Sequence, residues 1–283
     1  MEKAIKRYWP VFVLPTLAAF LIGFVWPFLQ GLYLSFCRFI TIDNASFNGL
    51  KNYIYALQEP EFLHAFGFTA LFTVLSTLCI NLAALAIALA LTREIKGTNL
   101  FRSVFFMPNL IGGIVLGYIW NILINCVLTL LGKPLMALHA PYGFWGLIIL
   151  MCWQQIGYMM IIYIAGLQSI PNDYLEAARI DGATEWQIFW KIKLPNLMPS
   201  ITICLFLSLT NGFKLFDQNL ALTGGDPAHK TETLALNIYQ TFYGRSGAQW
   251  KGYGQAKAVI FCILVVAIGL IQLKATRSKE VQQ

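Results

Sequence analysis

The chain has 283 residues, of which 58% are hydrophobic and only 12% charged, with a formal net charge of +7 and a mean hydropathy of +0.63. A soluble domain runs at about 45–50% apolar and about 25% charged, so there are too few charges here to cover a water-soluble globule of 31.8 kDa. The composition excludes disorder, collagen and small disulfide scaffolds, argues against a soluble two-domain enzyme, and fits a chain whose solvent is mostly lipid.

From the N-terminus, Lys3, Lys6 and Arg7 precede an apolar run over 11–36. The basic start is like that of a signal peptide, but the run is too long for a cleaved apolar core of about 7–15 residues. An uncleaved first spanning helix is expected, with Pro15 and Pro27 as bends, since prolines are tolerated in spanning helices when neighbours satisfy the freed carbonyls. A span needs about 20 mainly apolar residues, and five more stretches qualify: 63–91, 104–123, 144–167, 197–216 and 256–273. The expectation is an all-α integral membrane protein, a single transmembrane domain over 1–283 with six transmembrane helices. Positive charge alternates between the connections. Lys3, Lys6 and Arg7, then Arg93, Lys96 and Arg102, then Arg179, Lys191 and Lys193, and finally Lys274, Arg277 and Lys279 fall on one side. Arg38, Lys51 and Lys133 fall on the other, together with Lys230, Arg245 and Lys251 in a long loop, which counts less. Both termini are therefore expected in the cytoplasm. Topology accounts for the positive balance, and no basic cluster with interleaved aromatics supports a nucleic-acid partner.

Two connections, 169–195 inside and 217–254 outside, exceed the roughly 2–8 residues of a simple helix–helix turn. The inner one reads as two short helices joined by a glycine. Asn172 suits the cap of the first helix, with Asp173 and Glu176 in its first turn. Gly182 suits the left-handed residue that ends it. Thr184 and Gln187 form a T-x-x-Q capping box for a second helix carrying Trp186, Ile188, Phe189, Trp190 and Ile192, which Pro195 stops. Such an elbow is suited to docking into a groove on a partner or to resting on the membrane surface. The patterning leaves both open.

Glu176-Ala177-Ala178, Asp181-Gly182-Ala183 and Ile192-Lys193-Leu194-Pro195 together resemble the EAA loop of permease subunits of binding-protein-dependent ABC importers. The resemblance implies the ABC importer permease fold, with this loop as a coupling helix docked in an ATPase subunit. Glu176 would supply a charged contact there and Gly182 the turn. It implies as partners a second homologous permease, two ABC ATPase subunits and an extracytoplasmic solute-binding protein, in a cytoplasmic membrane whose lipid surrounds the spans. Four further segments are similar to sugar permeases: Phe47-Asn48-Gly49-Leu50-Lys51-Asn52-Tyr53, Phe101-Arg102 with Pro108, Trp153-Gln154-Gln155-Ile156-Gly157, and Leu222-Thr223-Gly224-Gly225-Asp226-Pro227. The last resembles the maltose- and glycerol-phosphate-type first permease, departing from it at Asp226, where a third glycine is common. A sugar or polyol substrate is thereby implied. An ion-coupled secondary transporter of a small polar solute is the alternative.

Polar residues inside spans are costly and often functional. Tyr118, Asn121 and Asn125 share one helical face, as do Gln154 and Tyr158, and Ser208 and Asn211. Trp120, Trp153 and Phe213 lie close by in sequence. Amides and hydroxyls suit the hydroxyls of a sugar, and flat rings suit its C–H patches, so Tyr118, Asn121, Trp153, Gln154, Tyr158, Ser208, Asn211 and Phe213 are candidates for the substrate path. The same residue types also bond helix to helix in membranes, and Asn81, alone in its span, is expected to do so. No span carries a chain of carboxylates that would suggest proton coupling; Asp217 is the one ambiguous acid.

Gly224-Gly225-Asp226-Pro227-Ala228-His229-Lys230-Thr231 nearly spells a P-loop, but Pro227 interrupts it and His229 replaces the second glycine, so nucleotide binding is not expected there. ATP hydrolysis would then belong to a separate subunit, and the chain itself would not be an enzyme. The six cysteines are scattered singly, and His64, His139 and His229 have no ligand spacing, so no metal and no cofactor are expected. Residues 231–242 read as an amphipathic helix with Leu234, Ile238 and Phe242 on one face, either on the outer membrane surface or against an external binding protein.

Overall fold

The computed structural model describes residues 2–92 and 97–277. Arg93, Lys96 and Lys279 of the charge argument lie outside the described residues, as do the side chains of Lys3, Lys6, Arg7 and Arg277. The chain forms two compact units, Met1–Glu59 with Ile238–Cys262, and Pro60–Asn237 with Ile263–Gln283.

In the first unit, α1 (Glu2–Phe20) runs through a π turn (Leu21–Val25) into α2 (Trp26–Leu34). Helix α1 is unbroken at Pro15. The irregularity falls ahead of Pro27, where the Trp26 N–H donates to the Leu21 carbonyl, five residues back. Proline lacks an N–H, and its ring crowds the carbonyl four residues earlier, so widening the turn relieves the clash without leaving the helix. A small antiparallel hairpin follows, β1 (Cys37–Arg38) with β2 (Ser46–Phe47), Cys37 opposite Phe47. Then comes α3 (Lys51–Gln58). Asn52 is fully buried and donates to the carbonyls of Ser35 (2.8 Å) and Cys37 (2.9 Å). That amide does for the turn what a neighbouring strand would do in a sheet.

The second unit is built around α4 (Pro60–Leu91) and α7 (Ala140–Gln168). Its core holds Phe72, Ile80, Ala84 and Ala88 of α4 with Leu150, Met151, Met159 and Met160 of α7. Between them in sequence lie α5 (Thr98–Phe106) and α6 (Gly113–Leu130). The third apolar stretch differs from its expected bounds of 104–123. A 3-10 turn at Met107–Leu110 and extended backbone at Ile111 and Gly112 end one helix, so the long helix starts at Gly113. Pro108 and the glycine pair break the helical hydrogen-bond run there. The carbonyl of Ile111 accepts from Gln154 Nε2 at 3.2 Å, so the break does not leave it bare.

After α7 come α8 (Asn172–Ile180), α9 (Glu185–Ile188), a π turn (Phe189–Lys193) and α10 (Leu194–Asn196), then α11 (Met198–Phe213), α12 (Asp217–Leu222), α13 (Leu234–Tyr239) and α14 (Ala248–Arg277). Among the described residues five helices are long and apolar enough to cross a membrane. The pair Glu185–Asn196 and Met198–Phe213, bent by 67°, makes a sixth if it counts as one span.

Lipid offers helices no hydrophobic drive to associate, so close packing of small residues takes its place. A Cβ on Gly157 would lie 1.8 Å from the Phe105 carbonyl oxygen, and one on Gly166 would lie 2.2 Å from Ser200 Oγ. At Gly157 the obstacle is backbone and cannot rotate away. Gly157→Ala is therefore expected to lower the thermal midpoint of the detergent-solubilised chain by several degrees, the scale of a ~1–3 kcal/mol overpacking cost. Gly67→Ala, with nothing within 4 Å, is the control and should not change it. Equal midpoints for both would refute this packing.

Candidate functional site

The elbow is set by local hydrogen bonds. Pro171 holds the N-cap position of α8 at φ −58°, ψ 133°, and Asn172 is the first helical residue. The expected Asn172 cap is therefore corrected: the proline's fixed φ already supplies the entry geometry, and no side-chain cap is made. At the other end Gly182 has φ +78°, the Ala183 N–H donates to the Ala178 carbonyl (2.9 Å), and the Gly182 N–H donates to that of Arg179 (3.1 Å). This 6→1 and 5→2 pair is the Schellman closure. Thr184 opens the next helix at once. Its Oγ1 accepts from the Gln187 N–H (3.3 Å), and its own N–H donates to Gln187 Oε1 (2.8 Å). A helix stop and a helix start thus meet at Gly182 and Ala183 with no slack between them. Glu185 meets Arg179 (3.3 Å) and Lys193 (3.9 Å) across the bend, but these pairs are largely exposed and add little stability.

Pro195 does not stop the second helix as expected. The π turn before it lets the Leu194 N–H donate to the Phe189 carbonyl, five residues back, and the helix continues to Asn196. The break comes at Leu197, which is fully buried. Of the motif residues, Glu176, Ala177, Asp181 and Gly182 are exposed, whereas Ala178, Ala183, Ile192, Leu194 and Pro195 are half-buried. Beside them Ile180 is 85% and Trp186 70% exposed, with Tyr174 and Trp190 also open, while Ile188 is buried and anchors the elbow. A cavity of about 1060 Å³ lies between the elbow and the ends of α4 and α7, lined among others by Leu89, Leu167, Arg179, Trp186 and Lys193.

The polar residues of the spans divide into two groups. Asn81 donates to Ser208 Oγ (2.8 Å) and accepts from the Tyr163 hydroxyl (2.7 Å), joining α4, α7 and α11. Asn211 donates to Gln155 Oε1 (3.2 Å), and Gln154 accepts from Gln218 (2.8 Å). Asn121 donates to the Leu222 carbonyl (2.5 Å) and accepts from Asn125 (3.2 Å). Phe213 is buried, and Tyr158 is half-buried against Phe106. Tyr118 and Trp153 are exposed, Trp153 edge-on to Trp120 at 5.6 Å between ring centroids. The helix-to-helix role expected for Asn81 is thus matched by its bonds, and Ser208 shares it. Sequence reasoning missed Tyr163, Gln155, Gln218 and Asn219. The first three sit in runs where polarity alone does not distinguish an inward from an outward face.

Asn219 is fully buried and holds the glycine-rich loop, donating to the Thr231 carbonyl (2.8 Å) and accepting from the N–H of Thr233 (3.0 Å). Ala228 and His229 take positive φ in that loop, and α13 begins only at Leu234. Within the segment 231–242, Thr231, Thr233, Leu234 and Leu236 are buried in the chain itself, the Leu234 N–H donates to Thr69 Oγ1 (2.8 Å), Ile238 and Phe242 are half-buried and Tyr239 is exposed. Asp217 is exposed in the first turn of α12. Among the described residues no three His, Cys, Asp or Glu side chains come together as a metal site would require.

Apolar helices of spanning length, with a stapled elbow leading into a bent pair that makes one more, define a multi-pass membrane protein. The chain belongs to the family described as binding-protein-dependent transport system inner membrane component, which matches residues 80–275. It is similar to the "Probable starch degradation products transport system permease protein AmyD" of Thermoanaerobacterium thermosulfurigenes, 43% identical over 97% of this chain and 95% of that one. The "Multiple sugar-binding transport system permease protein MsmF" of Streptococcus mutans is 32% identical over 99% of both chains. A chain of a bacterial ABC transporter involved in import of the acidic polysaccharide alginate superimposes with a TM-score of 0.82 over 98% of each chain at 22% identity, which establishes the fold. The protein is therefore a multi-pass permease of the cytoplasmic membrane and a transporter subunit.

Asn81→Leu removes the centre of the α4–α7–α11 bonding. Interhelical hydrogen bonds in membranes contribute about 1 kcal/mol, so its thermal midpoint should fall by a few degrees, and further than that of Tyr163→Phe, which removes a single bond. Wild-type midpoints in both variants would show that these bonds carry no stability.

Proposed function

We propose that this chain is the permease subunit of an ATP-driven ABC importer that moves a sugar or polyol delivered by an extracytoplasmic binding protein. It works beside a second, homologous permease and two ATPase subunits, with both termini and the elbow on the cytoplasmic side. Residues 1–283 act as one transmembrane permease domain. The observation that carries this reading is the elbow. The EAA-type residues Glu176 to Pro195 form a bend stapled by a Schellman closure and a capping box, and Tyr174, Ile180, Trp186 and Trp190 stand exposed on it. Solvent-exposed rings on so rigid a bend suit a groove in a partner. The sugar assignment is supported by the names of AmyD and MsmF. The binding-protein partner is supported by the family description and by a likeness to an alginate transporter in complex with an alginate pentasaccharide-bound periplasmic protein.

The mechanism follows from stiffness. Closure of the ATPases on ATP pushes the elbow, and the elbow does not fold up because neither helix end has a free residue at the bend. The push passes through the π turn and α10 to the 67° break at Leu197 and so to α11. Glu176 and Asp181 supply charged contacts to the ATPase, Gly182 the turn, and Ala177, Ala178, Ala183, Ile192, Leu194 and Pro195 its shape. Within the membrane Trp153 and Tyr118 offer open ring faces to the sugar. Gln154, Asn121, Asn211, Ser208, Tyr158 and Phe213 frame the path, and their internal bonds exchange as the helices tilt. Access to a site between bundles that rock is the general logic of transporters.

Gly182→Val forces a β-branched residue to φ +78°, where left-handed backbone costs about 1–2 kcal/mol. The variant should insert normally yet lose its ATPase on gentle detergent pull-down, and ATP-driven uptake in proteoliposomes should fall by roughly 5- to 150-fold, the span of a 1–3 kcal/mol coupling energy. Stoichiometric ATPase with undiminished uptake would sink the coupling role of the elbow.

A further inference from the structure

The short helix α5 carries a single charge, Arg102. At the helical period Leu100, Phe101, Val104 and Phe105 fall on one half of its circumference, and Thr98, Asn99, Arg102 and Ser103 on the other. The apolar half is the open one, with Leu100 68% and Val104 54% exposed. A helix divided in this way lies in the plane of a membrane interface, its apolar half among acyl chains and its polar half at the depth of the headgroups. Helix α7 holds it in place. The Phe105 carbonyl sits where Gly157 leaves room for it, and the Phe106 ring is tilted against Tyr158 at 6.4 Å between centroids.

Arg102 is half-buried, and its Nε is sealed from solvent without a hydrogen-bond partner. Among the described residues no acid pairs with it, and α7 has no charged side chain anywhere from Ala140 to Gln168. The ion cluster of the first unit is the contrasting case. There Lys257 is completely buried and pairs with Glu59, whose Oε1 also accepts from Arg245 Nη1 at 2.9 Å. Those charges have one another, whereas the donor of Arg102 has been taken from water without compensation. A buried donor on a charged group is costly to leave unmade, so its setting calls for an anion. The anion abundant at headgroup depth is the phosphodiester, and the planar guanidinium fork matches its two non-bridging oxygens. Basic sites between spanning helices on the cytoplasmic side accept anionic headgroups for this reason.

We propose that Arg102 binds the phosphate of an anionic phospholipid, of the phosphatidylglycerol kind, where α5 packs on α7. The fork donates to the phosphate, and Leu100 and Val104 meet the acyl chains. The lipid then fixes α5 in the interface just ahead of the break at Pro108. The site needs the membrane placement of the chain and the cytoplasmic position of α5, and it does not depend on which solute is moved.

The experiment uses the complete chain in mild detergent and measures its affinity for phosphatidylglycerol by native mass spectrometry. The wild type is expected to bind at least about fivefold more tightly than Arg102→Gln, the factor equivalent to the ~1 kcal/mol that a basic side chain contributes at an anionic surface. Arg102→Lys keeps the charge without the fork and should fall between them. Phosphatidylcholine, whose headgroup is neutral overall, should bind more weakly than phosphatidylglycerol, and millimolar inorganic phosphate should not displace the lipid. Equal affinity in wild type and Arg102→Gln overturns the proposal. If Arg102→Gln keeps that affinity but loses a protein partner on pull-down, Arg102 serves a carboxylate of that partner instead. Displacement by inorganic phosphate overturns the lipid assignment in favour of a free anion, and equal binding of the two lipids overturns the anionic preference. Should Arg102→Gln fail to fold, a photoreactive phosphatidylglycerol on the wild-type chain decides. Crosslinks concentrated in α5 and around Gly157 are expected, and crosslinks spread evenly over the apolar helices overturn the site.

Discussion

In hydrocarbon no water is available to a backbone N–H or C=O, so every interruption of a spanning helix must be satisfied from within the chain. This one constraint shapes the irregular places of the fold. Pro27 and Pro195 each follow a five-residue π turn that ends two residues before the proline, and in each case the residue preceding the proline donates to a carbonyl five back. At Pro108 the helix does stop, and the amide of Gln154 reaches the carbonyl of Ile111 left at the break. Burial within the chain sets the same need for Asn219, which spends both ends of its amide on the loop that follows it.

A second consequence concerns the polar side chains in the spans. Since lipid does not drive helices together, glycine contacts and interhelical hydrogen bonds hold the bundle. Ser208, Asn211, Gln154 and Asn121 therefore serve the packing. A transporter has reason to build its path from such residues. An amide bonded to another amide can exchange that partner for a sugar hydroxyl at little net cost, because a hydrogen bond is replaced and none is lost.

The elbow and the ion cluster sit at opposite extremes of legibility. The elbow could be read residue by residue because its geometry is made by contacts three to five positions apart: Gly182 at positive φ, Ala183 back to Ala178, Thr184 with Gln187. Where that reading erred, at Asn172 and Pro195, a proline had already set the backbone, and its neighbours adjusted by a route other than the one local propensity favours. The ion cluster could not be read at all. Glu59 and Arg245 are 186 residues apart in the chain, and nothing near either one names the other.

By itself the sequence determined the solvent, the order of the apolar helices, the stapled elbow and the family, because these depend on composition and on short-range periodicity. Only the tertiary structure decided that Thr231, Thr233, Leu234 and Leu236 are buried in the chain, which polar residues bond helix to helix, and that Lys257 has an acid to meet. Each of those is settled by a partner far away in sequence. A helix that is apolar on every side carries no moment to say which face turns inward, so the answer comes only when the neighbouring helix is in place.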